Sequence, residues 1–150
     1  EEIDFVKRYC ELQKLRFRNR LTYLIEVNEN VNQQRLIPKM TIQTFVENSI
    51  KHGIENKIDG GDILVKVNES NNFLEITVTD NGVGREKARS IRGRDSGYGL
   101  KTINSIFDFM NRINREKANI EIIDLKDAFN NSCGTEIRIT IPCDYLFEPA

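Results

Sequence analysis

The stretch Asp80-Asn81-Gly82-Val83-Gly84 follows the run FLEITVT, and Gly97-Tyr98-Gly99-Leu100 leads into the run KTINSIFDFMNRI. A carboxylate at the end of a buried strand can accept a hydrogen bond from an amino group on a base. A glycine loop feeding a helix lets backbone N–H groups approach phosphates at the positive end of that helix. The two motifs together suit a nucleotide. Each alone has a plainer reading, since Asn-Gly is a common turn pair and glycine pairs also serve as linkers.

A third cluster lies upstream in IPKMTIQTFVENSIKHGI. Asn48, Lys51 and His52 fall three and four apart, so on a helix they share a face, with Thr44 one turn earlier on the same side. The Asn48 oxygen is a suitable hard ligand for Mg²⁺. Lys51 is a compact positive charge suited to a phosphate. Glu47 points about a quarter-turn away from Asn48, toward either a bound nucleotide or solvent. Thr135, after Gly134, adds a hydroxyl that can reach a base, in what reads as a strand-initiating turn. A solvated polar helix face is the plainer reading of the Asn48 cluster.

Hydrophobic spacing supplies the elements that must position these residues. Ile3, Val6, Tyr9, Cys10 and Phe17 recur at helical spacing over 2–17. Leu21, Tyr23, Ile25 and Val27 alternate as in a half-buried strand. Pro38 suits the first turn of the next helix and Gly53 its C-terminal cap, with Ile42, Phe45, Val46 and Ile50 as its apolar stripe. Strands are predicted at 62–68 and 73–79 around a Ser70-Asn71-Asn72 turn, and at 119–125 and 135–141. A helix over 100–113 turns Ile103, Ile106, Phe107 and Met110 inward. Residues 85–96, REKARSIRGRDS, carry no clear apolar stripe and read as a mobile loop with one short helix. Mostly short connections between strands favour antiparallel pairing. The expected fold is α+β: a two-layer sandwich with a mixed, mostly antiparallel sheet and helices on one face.

Composition narrows the partners. With 150 residues, 39% hydrophobic and 30% charged, the chain suits one globular domain. A net charge of −1 gives no basic face for nucleic acid. Cys10, Cys133 and Cys143 share no metal-ligand spacing and fit packing thiols in a reducing, cytosolic setting. No run approaches the ~18 apolar residues of a membrane span.

The order of the motifs (Asn helix, Asp-Asn-Gly-x-Gly, Gly-x-Gly-Leu, Gly-Thr) resembles the GHKL superfamily of ATP-binding domains with the Bergerat fold, which includes gyrase, heat-shock chaperones, histidine kinases and MutL. IPKMTIQTFVENSIKHG looks like the N box of LytS-type sensor histidine kinases, with Ser49 where Ala is usual. EEIDFVKRYCELQKLRFRNR resembles the segment that leads into that core from a dimerisation and phosphoacceptor region. The resemblance covers nearly the whole chain, 1–150, as one ATP-binding catalytic domain. It implies that Asn48 coordinates the Mg²⁺ bridging the ATP phosphates, with Lys51 and His52 against those phosphates. Asp80 would take the adenine amine, and Gly82 and Gly84 would let the backbone approach the base. Residues 85–96 would be the ATP lid, with Arg92 or Arg94 available to phosphate. Gly97, Gly99 and Leu100 would close that lid onto the following helix, and Thr135 would contact adenine.

Two departures sharpen the expectation. Hydrolysing members of the superfamily carry a Glu one turn before the Asn, as general base for water; Thr44 stands there in this chain. The single histidine is His52, inside the N box, and no acceptor motif precedes it. The resemblance therefore implies a protein-histidine kinase domain that passes the γ-phosphoryl of Mg-ATP to a histidine outside this sequence. The phosphoryl then goes to a response regulator. It also implies a cytoplasmic domain of a homodimeric, membrane-anchored parent. A GHKL-type ATPase and a non-catalytic nucleotide-binding regulator are the alternatives.

Overall fold

The computed structural model describes residues 1–18, 20–92, 98–147, with the side chains of Arg92 and Tyr98 excepted. Helix α1 (Glu2–Arg16) is followed by β1 (Leu21–Val27), α2 (Thr41–Asn48) and a π-helical turn (Ser49–Ile54). The chain continues through β2 (Gly61–Ser70), β3 (Phe73–Asp80), α3 (Arg85–Arg92), α4 (Tyr98–Ile113), β4 (Asn119–Lys126) and β5 (Ser132–Pro142). The five strands form one sheet in the order β1-β2-β3-β5-β4. Only β1 and β2, separated by α2, run parallel; every other pair is antiparallel. The expected mixed sheet is therefore found.

Period-two burial sets the faces. On β3, Leu74, Ile76, Val78 and Asp80 are buried, while Phe73, Glu75, Thr77 and Thr79 between them are half-exposed. Leu74, Ile76 and Val78 of that row share one core with Val6 and Cys10 of α1, Phe45 and Val46 of α2, and Ile103 and Phe107 of α4. Met110 of α4 joins it only partly buried, whereas Ile106, expected to face inward, is half-exposed and not packed against this core. The β2–β3 hairpin turns through Asn71 (φ 49°) and Asn72 (φ 65°), both left-handed, as the twist of a two-residue turn requires.

Local readings shift at four places. Helix α2 begins at Thr41, three residues after Pro38, and Thr41 Oγ1 donates back to the Pro38 carbonyl at 2.6 Å. Its cap residue, Met40, is left-handed (φ 65°) and offers no side-chain acceptor. Glu2 of α1 supplies one instead: the Ile42 and Gln43 N–H groups donate to Glu2 Oε1 at 2.5 and 3.3 Å. Gly53 does not cap the helix; it lies within the π-helical turn, where Glu55 N–H reaches back to the Ile50 carbonyl at 2.8 Å. Asp80 is the last residue of β3, and Gly134 and Thr135 lie inside β5 instead of ahead of it. Of 85–96, residues 85–92 form α3. Among the described residues, no helix is long and apolar enough to cross a membrane.

Candidate functional site

A cleft of about 660 Å³ opens between α2, α3, the start of α4 and the helix-covered face of the sheet. Its lining holds one buried carboxylate, Asp80, 3% exposed. Burial pushes this carboxyl above the ordinary Asp value. Three donors oppose that shift: the Gly82 N–H, which reaches Asp80 Oδ1 at 2.9 Å, the Ser49 hydroxyl and the Thr135 N–H. Lys57 adds a favourable positive charge. A carboxylate so placed is a buried acceptor in a cleft whose apolar walls include Phe45, Leu100, Ile122 and Ile137.

The space for that carboxylate exists because the backbones around it touch. A Cβ on Gly82 would lie 2.4 Å from Gly53 Cα, and one on Gly53 would lie 2.8 Å from Asp80 Oδ1. Val83 N–H also donates to the Gly53 carbonyl at 3.3 Å, tying the loop after β3 to the π-helical turn. Gly134, at φ 144°, passes so close that a Cβ would meet the Asp80 carbonyl oxygen at 2.0 Å. Gly82 is legible in the sequence as a glycine of close approach, whereas Gly53 reads there as a helix end and Ser49 as a departure from a pattern. The signal available for Gly53 was its place one turn beyond the polar Asn48 face.

The other expected residues divide. Asn48 and His52 are half-buried and line the cleft with Asp80, Gly84, Leu100 and Thr135. Lys51 is exposed and stands outside that lining. The wider π turn accounts for the separation: it keeps the four-apart pair Asn48 and His52 on one side and rotates the three-apart Lys51 away. Thr44 packs against the start of α4, where a Cβ on Gly99 would lie 2.8 Å from its Cγ2. Glu47 turns from the cleft toward α1: it accepts from Gln43 Nε2 at 2.6 Å, and its charge, after burial, helps push the Tyr9 hydroxyl upward. Arg94, Gly97 and the Arg92 side chain lie outside the described residues. Arg85, Ala88 and Arg89 of α3, none of them singled out from sequence, line the cleft as well.

Chemically, the cleft offers a buried acceptor, an apolar slot and, at its α2 side, the Asn48 amide and the His52 imidazole. Among the described residues, no group of three or more His, Cys, Asp or Glu side chains is placed to hold a metal. A metal here would take few protein ligands and most of its shell from water or a bound phosphate, which is the habit of Mg²⁺.

The model of the histidine kinase-, DNA gyrase B- and HSP90-like ATPase family matches residues 33–145. The chain is similar to the sensor histidine kinase YesM of Bacillus subtilis, at 32% identity over 95% of this chain and 23% of that protein. It is also similar to the sensor histidine kinase BtsS of Escherichia coli, at 35% identity over 54% of this chain and 14% of that protein. The chain thus spans less than a quarter of the length of either kinase. Among solved structures, the mycobacterial sensor histidine kinase MprB superposes with a TM-score of 0.59 at 18% identity, covering 93% of both chains. ShkA, solved in complex with AMPPNP, gives 0.61 at 16% identity over 91% of this chain and 29% of that one. Those two likenesses concern the fold. The match across residues 33–145, on the cleft just described, makes this chain a member of the histidine kinase-, DNA gyrase B- and HSP90-like ATPase family, as an ATP-binding domain of the sensor histidine kinase kind.

Proposed function

We propose that this domain binds Mg-ATP in the Asp80 cleft and donates the γ-phosphoryl to a histidine on another domain of its parent protein, for relay to a response regulator. The observation that carries the reading is the buried Asp80 carboxylate, held by the Gly82 N–H, Ser49 and Thr135, in a cleft that Asn48 also lines. An adenine amine donating to Asp80, with its ring between apolar walls, fits such a slot. In that pose Thr135 lies beside the base, Gly82 and Gly84 leave room for it, and Asn48 and His52 flank the phosphates. Lys51, outside the cleft lining, would add its positive charge only from a distance.

Asn48 is the residue suited to a metal, and a bound Mg²⁺ would supply charge neutralisation between phosphate oxygens. The protein's own part is positioning: it fixes the base, excludes water from the slot and aims the terminal phosphate at an acceptor. Thr44 favours transfer over hydrolysis, because it offers no carboxylate to activate water. His52 lies in the cleft beside Asn48, a position suited to contacting phosphate and not to receiving it. Helix α1 would lead in from the phosphoacceptor region, and α3 would be part of the cover over the nucleotide. A homodimeric parent anchored in the membrane completes the reading.

The test uses the full-length protein containing this domain with γ-labelled ATP. Acid-labile label on a histidine is expected, and it should vanish in Asn48→Ala. Nucleotide binding with no acid-labile product would leave only a nucleotide-binding regulator. Rapid phosphate release that depends on Asn48 would turn the assignment to an ATPase.

A further inference from the structure

The row of residues crossing the sheet at Asp80 continues to the sheet edge. Asp80 pairs with Thr135, and Thr135 pairs with Asp124 on β4. Residues paired directly across antiparallel strands point to the same face. Asp124 therefore stands on the cleft side, where it meets Arg85, the first residue of α3. Arg85 Nε donates to Asp124 Oδ1 at 2.8 Å and Nη2 donates to Oδ2 at 2.7 Å. Two parallel charge-assisted bonds of this kind form the strongest arrangement open to the two side chains. The contact raises the Arg85 pKa and lowers that of Asp124, so each group holds the other charged.

Among the described residues, the other holds on α3 are few. A helix of eight residues is too short to persist alone in water. Among its described side chains only Ala88 is buried, and Ile91 is 53% exposed. One backbone bond, from Ala88 N–H to the Gly84 carbonyl at 3.0 Å, links its first turn to the glycine loop. Yet Arg85, Ala88 and Arg89 form a wall of the cleft. Exposed ion pairs contribute little in general. Here the pair is a two-bond fork at 37% and 42% side-chain exposure, at the foot of a helix with almost no apolar hold.

We propose that Arg85 and Asp124 are a positioning pair that anchors α3 to the sheet edge and so sets how fast a nucleotide leaves the cleft. The inference rests on the nucleotide-binding reading above. It concerns release, because the fork fixes the first turn of this wall to the sheet edge, and losing it lets the wall move away from the cleft. Arg85 and Asp124 need not touch the nucleotide for this.

Stopped-flow release of a fluorescent ATP analogue tests it, on the wild type, Arg85→Ala, Asp124→Ala and the double variant. Each single substitution should speed release roughly tenfold, and the double variant should be no faster than either single, since both remove one contact. Arg85→Lys, which keeps the charge and loses the fork, should fall between. Without nucleotide, amide exchange over residues 85–92 should quicken in Arg85→Ala while exchange in β2 and β3 stays as in the wild type. Wild-type release rates in the single variants, or effects that multiply in the double variant, would discard the pair while leaving nucleotide binding intact. A wild-type protein that does not bind the analogue would overturn the functional reading, and this inference with it.

Discussion

In the proposed reading, the Asp80 carboxylate carries the recognition of the base. Replacing it with Asn puts an amide where an acceptor is needed and should weaken ATP binding by about 1–3 kcal/mol, the scale of one hydrogen bond to a charged group. Calorimetric titration reads this directly, and unchanged affinity would remove Asp80 from the adenine role. Acid gives a second handle. Burial raises the Asp80 pKa above 3.8, so the native carboxyl takes up its proton before an unfolded one does as pH falls. Its charged form therefore costs stability at neutral pH, and acidification relieves that cost. The same protonation removes an acceptor from the site. ATP affinity should accordingly fall while the pH is still above 3.8, and Asp80→Asn should flatten that part of the profile. Of the residues in the cleft, Asp80, Asn48 and Thr135 were legible as types at given spacings. Ser49 and Gly53 were not, because what matters in each is what it faces across the fold.

At the scale of elements, α2 carries Asn48 and depends on α1 for its start. Met40 contributes a left-handed residue and no cap, and Glu2 reaches in from another helix to accept two of the free N–H groups. Two substitutions should move stability in opposite directions. Glu2→Ala should cost about 1 kcal/mol, as the loss of a helix cap does. Met40→Gly should gain about 1 kcal/mol by removing left-handed strain from a side chain that is 54% exposed. Urea unfolding checks both, and a loss of stability in Met40→Gly would show that its side chain packs more than its exposure implies. The arrangement joins the helix that leads into the domain to the helix that carries Asn48. The 3.6-residue period revealed both helices, but one period cannot register the π turn that follows α2, where Gly53 lies against the backbone of Gly82.

The whole molecule is a sheet with one helical layer, and the cleft lies where that layer parts between α2 and α3. Ligand binding and folding are therefore linked. Saturation with Mg-ATP at a hundred times its dissociation constant should stabilise the native state by about 2.7 kcal/mol. Thermal unfolding with and without Mg-ATP reads this gain, and between about a third and nine-tenths of it should be absent in Asp80→Asn at the same Mg-ATP concentration. In the core beneath, Ile139 on β5 is fully buried between strands that carry Asp80 and Asp124. Ile139→Ala should lose roughly 2–5 kcal/mol through the cavity it leaves, measured by the same unfolding curves. A smaller loss would mean that β3, β5 and β4 close around the gap.

Spacing along the chain was enough to identify most helices and strands and the α+β class, while the ATP-binding reading came from the resemblance of its motifs to a family. Those features depend on contacts between near neighbours, and period and turn chemistry record such contacts directly. The order of the strands was beyond that reach. Placing β5 between β3 and β4 is what aligns Asp80, Thr135 and Asp124 in one row, and it brings Gly134 against the backbone of Asp80. Residues dozens of positions apart meet there by long-range pairing, whose register no local periodicity encodes. The donors around Asp80, the outward turn of Lys51 and the fork between Arg85 and Asp124 were decided only once the sheet had closed.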